Sequence, residues 1–286
     1  MINKIGKRIF EILTKISPKF SAIILYIYRT KEIPNLKNPK NFNEKMTKLK
    51  LENYNKKDKI SILSDKYAVR QYVKEKGCKE ILNEFYGVYD DIEKINFETL
   101  PEKFALKCTH GCAYNVICRN KKKLNIEKTK NKLNAWMKEK YGYATQELHY
   151  TKIKPRIIAE KYLCDENDEM PLDYKIYCFN GKAECILVCS ERDKKLKLSY
   201  YDMNWNRIEF EKKKWSSIKD IEKPNNLTKM VEYAEKLSSD FPFVRVDLYE
   251  DKGKIIFGEL TFTPACCCAP YYSKEGNKIL GNMLKL

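Results

Sequence analysis

Residues 243–263 read FVRVDLYEDKGKIIFGELTFT and predict two β-strands joined by a turn at Gly253. Asp247 and Glu259 each stand in the middle of an otherwise apolar strand. An unpaired carboxylate is costly to bury, and Arg245, two residues before Asp247 on the same face, can neutralise one at most. A Mg²⁺ ion held by both carboxylates is the simpler compensation, because oxygen ligands suit Mg²⁺. A structural Arg245–Asp247 pair beside an exposed Glu259 remains the alternative.

Outside this stretch, the sequence predicts a mixed α+β fold with mainly antiparallel sheets, because hairpin patterns recur and no regular βαβ alternation runs through the chain. Apolar runs bounded by turn residues predict strands over 81–89, 104–108, 116–119, 156–163, 173–179 and 183–190. Helical spacing of apolar residues predicts helices over 65–77, 126–140 and 227–239. The two acids are therefore expected on a sheet face.

Three further charged residues interrupt apolar strands. Lys107 directly precedes the small-residue loop 109–115, THGCAYN, and a mobile cation beside loop amides is what a phosphate chain needs. A surface lysine with a buried stem is an equally good interpretation. Glu160 lies where a strand ends beside free backbone groups that could contact a purine, although an ordinary strand terminus is favoured for this residue alone. Lys175 is ambiguous by itself.

Seven segments, taken in order, resemble the TupA-like branch of the ATP-grasp superfamily, which is associated with teichuronopeptide and other cell-surface polysaccharide biosynthesis. They read DKYAVRQYV, LPEKFALKCTHG, KPRIIAEKYL, DYKIYCFNGK, YYDMNWNR, EKLSSDFPFVRVDLY and GKIIFGELTFTP. The resemblance covers residues 41–286 and rests on the order of the segments, since no single motif would suffice. It implies an ATP-grasp fold, with the nucleotide held between two α+β subdomains whose sheets are mainly antiparallel.

The resemblance also implies a division of the chain. The expected units are a basic N-terminal segment with its linker (1–42), an N-terminal part of the ligase (43–100), the small ATP-grasp subdomain (101–163) and a C-terminal subdomain that carries the metal site (164–286). ATP and Mg²⁺ are the implied cofactors.

Roles for individual residues follow from the same resemblance. Nucleotide contacts are implied for Lys66, Lys107, His110, Gly111 and Asn115 at the phosphates, for the hinge residues Glu160, Lys161, Tyr162 and Leu163 at the adenine, and for Lys175. The implied metal ligands are Asp247, Glu259 and Thr261, the last standing where related ligases generally have Asn. Arg245 and Lys107 are the implied catalytic residues, with Arg245 stabilising an acyl phosphate or the departing phosphate.

Two segments depart from the branch. The phosphate loop is poorer in Gly and Ser than is usual there, and the tail reads TPACCCAP where TPGSG or a similar run is expected. Ala265 and Cys266 then occupy positions that could require positive φ, which puts activity or specificity in question. A zinc site built from Cys108, His110, Cys112 and residues 266–268 is disfavoured, because three consecutive Cys cannot easily face one ion.

Composition narrows the class of protein. The 286 residues carry a formal charge of +17, which by itself suggests nucleic acid, anionic lipid or a polyanionic substrate. Residues 1–60 contain 15 basic and 5 acidic side chains, so most of the excess lies outside the segments of the nucleotide-binding core, and we expect no nucleic-acid partner. Eleven Cys, an odd number without a disulfide pattern, favour a reducing cytosolic setting.

The N-terminal residues 1–31 form a segment of their own. Apolar residues recur at helical spacing (Ile2, Ile5, Ile9, Ile12, Leu13, Ile16) between Lys4, Lys7, Arg8 and Lys15. The apolar run 20–28 is too short to span a membrane, which takes about 20 residues. The pattern leaves two interpretations: a helix in the plane of an anionic membrane surface, on the inner face of the membrane, or a helix packed on the domain.

We expect an ATP-dependent carboxylate–amine ligase that joins an amino acid or peptide to a glycan carboxylate through an acyl phosphate. A glycosyltransferase is the second hypothesis, although the sequence contains no D-x-D and its acid cluster, Asp165, Glu166, Asp168 and Glu169, lies in a predicted turn. A membrane-surface scaffold that has lost catalysis is the third. Neutralising either Asp247 or Glu259 is predicted to abolish Mg²⁺-ATP binding with little loss of folding.

Overall fold

Two antiparallel β-sheets and eight α-helices form the part of the chain that the computed structural model describes, residues 3–164, 170–190 and 196–286. The helices are α1 (Lys4–Ile16), α2 (Pro18–Thr30), α3 (Phe42–Leu49), α4 (Asp58–Ser64), α5 (Val69–Glu75), α6 (Ile126–Met137), α7 (Leu227–Ser238) and α8 (Lys274–Met283). The strands are β1 (Phe85–Tyr89), β2 (Phe104–Cys108), β3 (Asn115–Cys118), β4 (Ile157–Lys161), β5 (Asp173–Phe179), β6 (Lys182–Ser190), β7 (Lys197–Tyr201), β8 (Arg207–Ile208), β9 (Phe243–Asp251) and β10 (Lys254–Thr261).

The smaller sheet has the strand order β1-β4-β2-β3. The predicted hairpin around loop 109–114 is present as β2 and β3, and it pairs Lys107 with Asn115. Ala105 pairs with Glu160 of β4, so the alternation of side chains along a strand puts Lys107, Asn115 and Glu160 on one face. The opposite face is apolar, and Leu106 packs there in a core shared with α6.

The larger sheet has the order β10-β9-β5-β6-β7-β8. Asp247 of β9 pairs with Lys175 of β5 on one side and with Glu259 of β10 on the other. Directly paired residues share a face of the sheet, so these three charges from distant parts of the sequence become neighbours. Ile176 and Val246 alternate with them and point into the main core, which α3, α7 and α8 help to form.

The N-terminal helix α1 packs against α2 and over a short 3₁₀ turn, Tyr143–Thr145. Phe10, Leu25 and Tyr26 form a small third core with Cys268. The helix packed on the domain, one of the two interpretations of residues 1–31, is therefore observed. None of the described helices is long and apolar enough to cross a bilayer.

Some element boundaries differ from those predicted. The helix predicted over 65–77 begins only at Val69, because the Asp65 carboxylate accepts hydrogen bonds from the backbone N–H of Tyr67 (2.8 Å) and of Ala68 (3.2 Å) in a preceding turn. Helix α8 and strands β7 and β8 were not predicted. The acid cluster 165–169 lies outside the described residues.

Candidate nucleotide and metal site

The hairpin of β9 and β10 presents Asp247 and Glu259 side by side. The register shifts by one residue between Phe257 and Glu259, a β-bulge that places Gly258 against the neighbouring strand. A Cβ at Gly258 would lie 2.9 Å from the Asp247 carbonyl oxygen and 2.9 Å from the Tyr249 ring. Glycine is therefore required here by close approach of the two strands.

Asp247 is compensated by two cations, with a side chain that is only 3% exposed. Arg245 donates to both of its oxygens at 2.6 Å, and Lys175 Nζ donates to Oδ2 at 2.6 Å. Burial opposes the charge of each cation, but the neighbouring acids together outweigh it and raise the pKa of both groups: Asp247 first in each case, with Glu259 at Arg245 and Asp173 at Lys175. Strand β5, distant in sequence, thus supplies a second cation that the local sequence did not place beside Asp247, so burial of this carboxylate does not by itself require a metal.

Glu259 is more open, with a side chain 36% exposed. Thr261 Oγ1 donates to Glu259 Oε1 at 2.7 Å and accepts from Arg245 Nη2 at 3.0 Å. Burial would raise the pKa of Glu259, but Lys66, Arg245 and Lys175 together hold it below its usual value. An ionised carboxylate is thus held at the cavity wall, while the Thr261 hydroxyl is already engaged on both sides.

A polar cavity of about 190 Å³ lies between the two sheets and brings together half of the predicted site residues. These are Lys66, Lys107, Asn115, Glu160, Lys175, Asp247 and Glu259. Lys107 forms an ion pair with Glu160, Lys175 reaches Asp173 Oδ2 at 2.5 Å, and Lys66 Nζ donates to the Gly111 carbonyl at 2.6 Å. The three lysines of the cavity are therefore already engaged, two by carboxylates and Lys66 by a carbonyl.

The other predicted residues surround the cavity without lining it. Arg245 and Thr261 lie behind the two acids, and Gly111 is held by Lys66. His110 is buried, with its Nε2 3.1 Å from the Trp136 carbonyl, and burial lowers the pKa of its imidazole. The His110 side chain consequently packs against α6 rather than against the cavity.

The expectation of free backbone groups near Glu160 is wrong for this residue. Strand β4 is internal, and Glu160 pairs with Phe85 of β1 and with Ala105 of β2. The next residue, Lys161, is exposed; its N–H donates to the Glu84 carbonyl at 3.0 Å, and its carbonyl accepts from Asn83 Nδ2 at 2.9 Å. Tyr162 is buried and Leu163 is half-buried just beyond the strand, and adenine contacts at these two positions remain a prediction.

Six cavity residues were not predicted: Arg70, Ile158, Asp173, Tyr249, Phe257 and Gly258. Ile158 and Asp173 lie two residues before Glu160 and Lys175, respectively, on the same strand faces. Arg70 lies four residues after Lys66, one turn along the helix predicted over 65–77, so these three had a periodicity signal. The remaining three follow from strand pairing, which the local pattern does not specify.

The tail 264–268, where the TupA-like branch is expected to have glycine, has a left-handed backbone. Ala265 (φ 49°), Cys266 (φ 58°) and Cys267 (φ 65°) are consecutive positive-φ residues without glycine. Their carbonyls accept hydrogen bonds from Arg29 (3.0 Å), Lys50 (2.9 Å) and Thr47 (3.0 Å), respectively. This set of donors fixes the strained loop.

A metal ion has only a limited set of protein ligands here. Among the described residues, no group of three or more His, Cys, Asp or Glu side chains is arranged to hold one, the Cys-rich segments included. The in-register carboxylates Asp247 and Glu259 nevertheless fit Mg²⁺, which commonly takes one or two carboxylates and completes its shell with phosphate oxygens and water.

Comparison with known proteins settles the family. The family model described as TupA-like ATPgrasp matches residues 44–285. This chain belongs to the TupA-like ATP-grasp family. The match confirms the predicted family and, with the two antiparallel sheets that enclose the cavity, the predicted ATP-grasp fold. No curated protein matches the chain by sequence.

Solved structures similar to this TupA-like chain include three ligases or synthases. D-alanine–D-alanine ligase from Bacillus anthracis is 15% identical, with 78% of this chain and 66% of that chain covered and a TM-score of 0.44. L-amino acid ligase from Bacillus licheniformis is 12% identical, with 77% and 48% covered and a TM-score of 0.43. N5-carboxyaminoimidazole synthase from Aspergillus clavatus, in complex with ADP and 5-aminoimidazole ribonucleotide, is 13% identical, with 71% of this chain and 45% of that chain covered and a TM-score of 0.40. The present chain thus spans about half to two thirds of their lengths.

Proposed function

We propose that this protein is an ATP-dependent carboxylate–amine ligase. The observation that carries the proposal is the cavity between the two sheets, in which lysines on one side face the Asp247–Glu259 pair on the other. A nucleotide triphosphate with its metal needs both kinds of group, cations for the phosphates and carboxylates for the ion.

The cavity residues have distinct roles in this proposal. Lys66 and Lys107 bind phosphate oxygens, and Asp247 and Glu259 hold Mg²⁺, which supplies neutralisation of phosphate charge when bound. Arg245 is a positioning residue, because its guanidinium fixes Asp247 and Thr261 from behind.

The reaction balances in two steps. A substrate carboxylate attacks the γ-phosphorus of ATP, which forms an acyl phosphate and releases ADP. An amine then attacks the acyl carbon, the C–O bond to phosphate breaks, phosphate leaves, and the nitrogen loses a proton to give an amide. Lys66 and Lys107 offset the charge on the transferring group, so most of the protein's contribution is positioning and electrostatics.

The proposed acceptor is a glycan carboxylate of a cell-surface polysaccharide, to which an amino acid or peptide is joined. A second cavity, of about 670 Å³, supports it. Tyr28, Tyr141 and Trp215 line this cavity together with the cations Lys31 and Lys140, and rings with cations suit an anionic sugar. Tyr141 connects it to the phosphate loop, since a Cβ at Gly111 would lie 3.0 Å from its ring.

Trapping of the acyl phosphate tests the reaction. Purified protein is incubated with Mg²⁺, ATP and uronic-acid oligosaccharides, with hydroxylamine in place of the amine, and both ADP and hydroxamate are measured. We expect ADP release that depends on the carboxylate and an equal yield of hydroxamate. Turnover of a UDP-sugar without consumption of ATP would instead establish the glycosyltransferase hypothesis.

The acceptor cavity is tested separately with Lys140→Gln, since Lys140 is exposed and lies at the cavity rim. The KM for the glycan should rise about fivefold while the KM for ATP stays constant, as expected for loss of one exposed charge contact. Lys278→Gln, an exposed lysine on α8, is the matched control. If both variants keep the native KM, the second cavity does not bind the acceptor.

A further inference from the structure

Helix α1 presents its isoleucines to solvent. Ile5, Ile9, Ile12 and Ile16 are 71%, 51%, 59% and 77% exposed. The spacing i, i+4, i+7, i+11 places all four on one face of the helix, within an arc of about 60° at 3.6 residues per turn. This isoleucine stripe runs the length of α1, about 20 Å.

The face of α1 that packs on the protein is a different one. Phe10 and Thr14 are buried, and Thr14 Oγ1 donates to Ser21 Oγ at 2.8 Å and accepts from Gln146 Nε2 at 3.3 Å. Lys7 on this side forms an ion pair with Glu139 at 2.8 Å. The helix is thus anchored through mixed polar contacts while its most apolar side faces outward, the reverse of an ordinary surface helix.

Positive charge accompanies the stripe. Residues 3–31 contain seven basic side chains and one acidic side chain. Lys4, Arg8 and Lys15 are exposed and lie along one flank of the stripe at spacing i, i+4, i+11. An apolar stripe edged by cations fits a surface that has an apolar interior and anionic head groups.

We infer that α1 docks in the plane of an anionic lipid surface, with the isoleucine stripe inserted and Lys4, Arg8 and Lys15 at the head groups. A second copy of the chain fits less well, because a symmetric contact through α1 would bring its cationic flanks together. Docking leaves α1 folded on the protein, since the contacts of Thr14 and Lys7 lie on the other face. The inference is independent of the proposed ligase activity.

Vesicle flotation tests the docking. The full chain is mixed with vesicles of phosphatidylcholine alone or of phosphatidylcholine with phosphatidylglycerol, and bound protein is measured at low and high salt. We expect binding to the anionic vesicles that falls with added salt. Ile9→Ser/Ile12→Ser should weaken it by about tenfold or more, and Lys4→Gln/Arg8→Gln/Lys15→Gln by about fivefold for each charge.

Ile218→Ser is the matched control, because this isoleucine is 97% exposed and lies outside α1. It should bind the anionic vesicles as the native chain does, and circular dichroism should show unchanged helix content in every variant. Equal binding to neutral vesicles, or native affinity in the Ile9→Ser/Ile12→Ser variant, overturns the inference. Light scattering that shows this variant converting a dimer into a monomer also overturns it, since the stripe would then be a self-contact.

Discussion

Replacement of Asp247 by Asn should destabilise the fold, whereas replacement of Glu259 by Gln should not. The buried Asp247 carboxylate accepts three hydrogen bonds from charged groups, two from Arg245 and one from Lys175. Asp247→Asn removes the bidentate countercharge of Arg245 and one of the two carboxylates that pair with Lys175, and breaking a buried ion pair from one side costs about 3–5 kcal/mol. Glu259→Gln keeps an oxygen for the Thr261 hydroxyl on a partly exposed side chain, so we expect less than about 1 kcal/mol.

Urea unfolding, monitored by fluorescence, measures the free energy of unfolding, and titration calorimetry measures the affinity for Mg²⁺-ATP. Both variants should lose nucleotide affinity, but only Asp247→Asn should lose stability. The structure thus alters the expectation that either carboxylate could be neutralised with little loss of folding.

A double variant isolates the cause. Lys175→Gln removes one of the two cations that pair with Asp247, so Asp247→Asn/Lys175→Gln should be more stable than the sum of the single changes predicts, by about 1–3 kcal/mol. Simple additivity, or an Asp247→Asn protein as stable as the native chain, would refute the claim that these ion pairs hold the hairpin of β9 and β10 against β5.

Three further predictions concern other parts of the molecule. Burial, aided by Lys50 and Lys152, lowers the pKa of His149 to about 3. The buried neutral His149 therefore contributes its full stabilisation at pH values above the pKa of the unfolded chain, near 6.5, and the free energy of unfolding falls by about 2 kcal/mol between pH 7 and 5. His149→Gln should unfold in urea with a correspondingly weaker pH dependence, and a pH dependence identical to that of the native chain would be evidence against this. Ala265→Gly should raise the free energy of unfolding by about 0.5–1 kcal/mol, because φ at this position is 49°, and a decrease would show that the loop is not strained. Gly258→Ala should cost about 1–3 kcal/mol and weaken Mg²⁺-ATP binding in calorimetry, since its Cβ would overlap the Asp247 carbonyl; native affinity would mean that the bulge does not position Glu259.

The sequence predicted local features well. The hairpin of β2 and β3 and the acids of β9 and β10 were predicted because each depends on short apolar runs and on the turn that joins them. The partner of Asp247 was not predicted, because Lys175 becomes a neighbour only when β5 pairs with β9. The internal position of β4 is likewise a property of the whole sheet, and it removes the free backbone groups expected at Glu160.

The paired charges in the cavity have a consequence for the order of binding. Four cations and four carboxylates line it in the described residues, and Lys107 and Lys175 are each engaged by carboxylates. A phosphate chain that entered alone would have to take these lysines from their carboxylates. Glu160 would then lose its ion pair and Asp247 would keep only Arg245, which is costly in a partly buried site. In the proposed function, entry of the nucleotide together with a divalent cation would avoid this, because the cation would replace the lysine as a partner of Asp247 and leave the lysine for phosphate. A carboxylate that is already paired could therefore still be a metal ligand in the proposed function, because Lys175 would hold Asp247 in position until the ion binds.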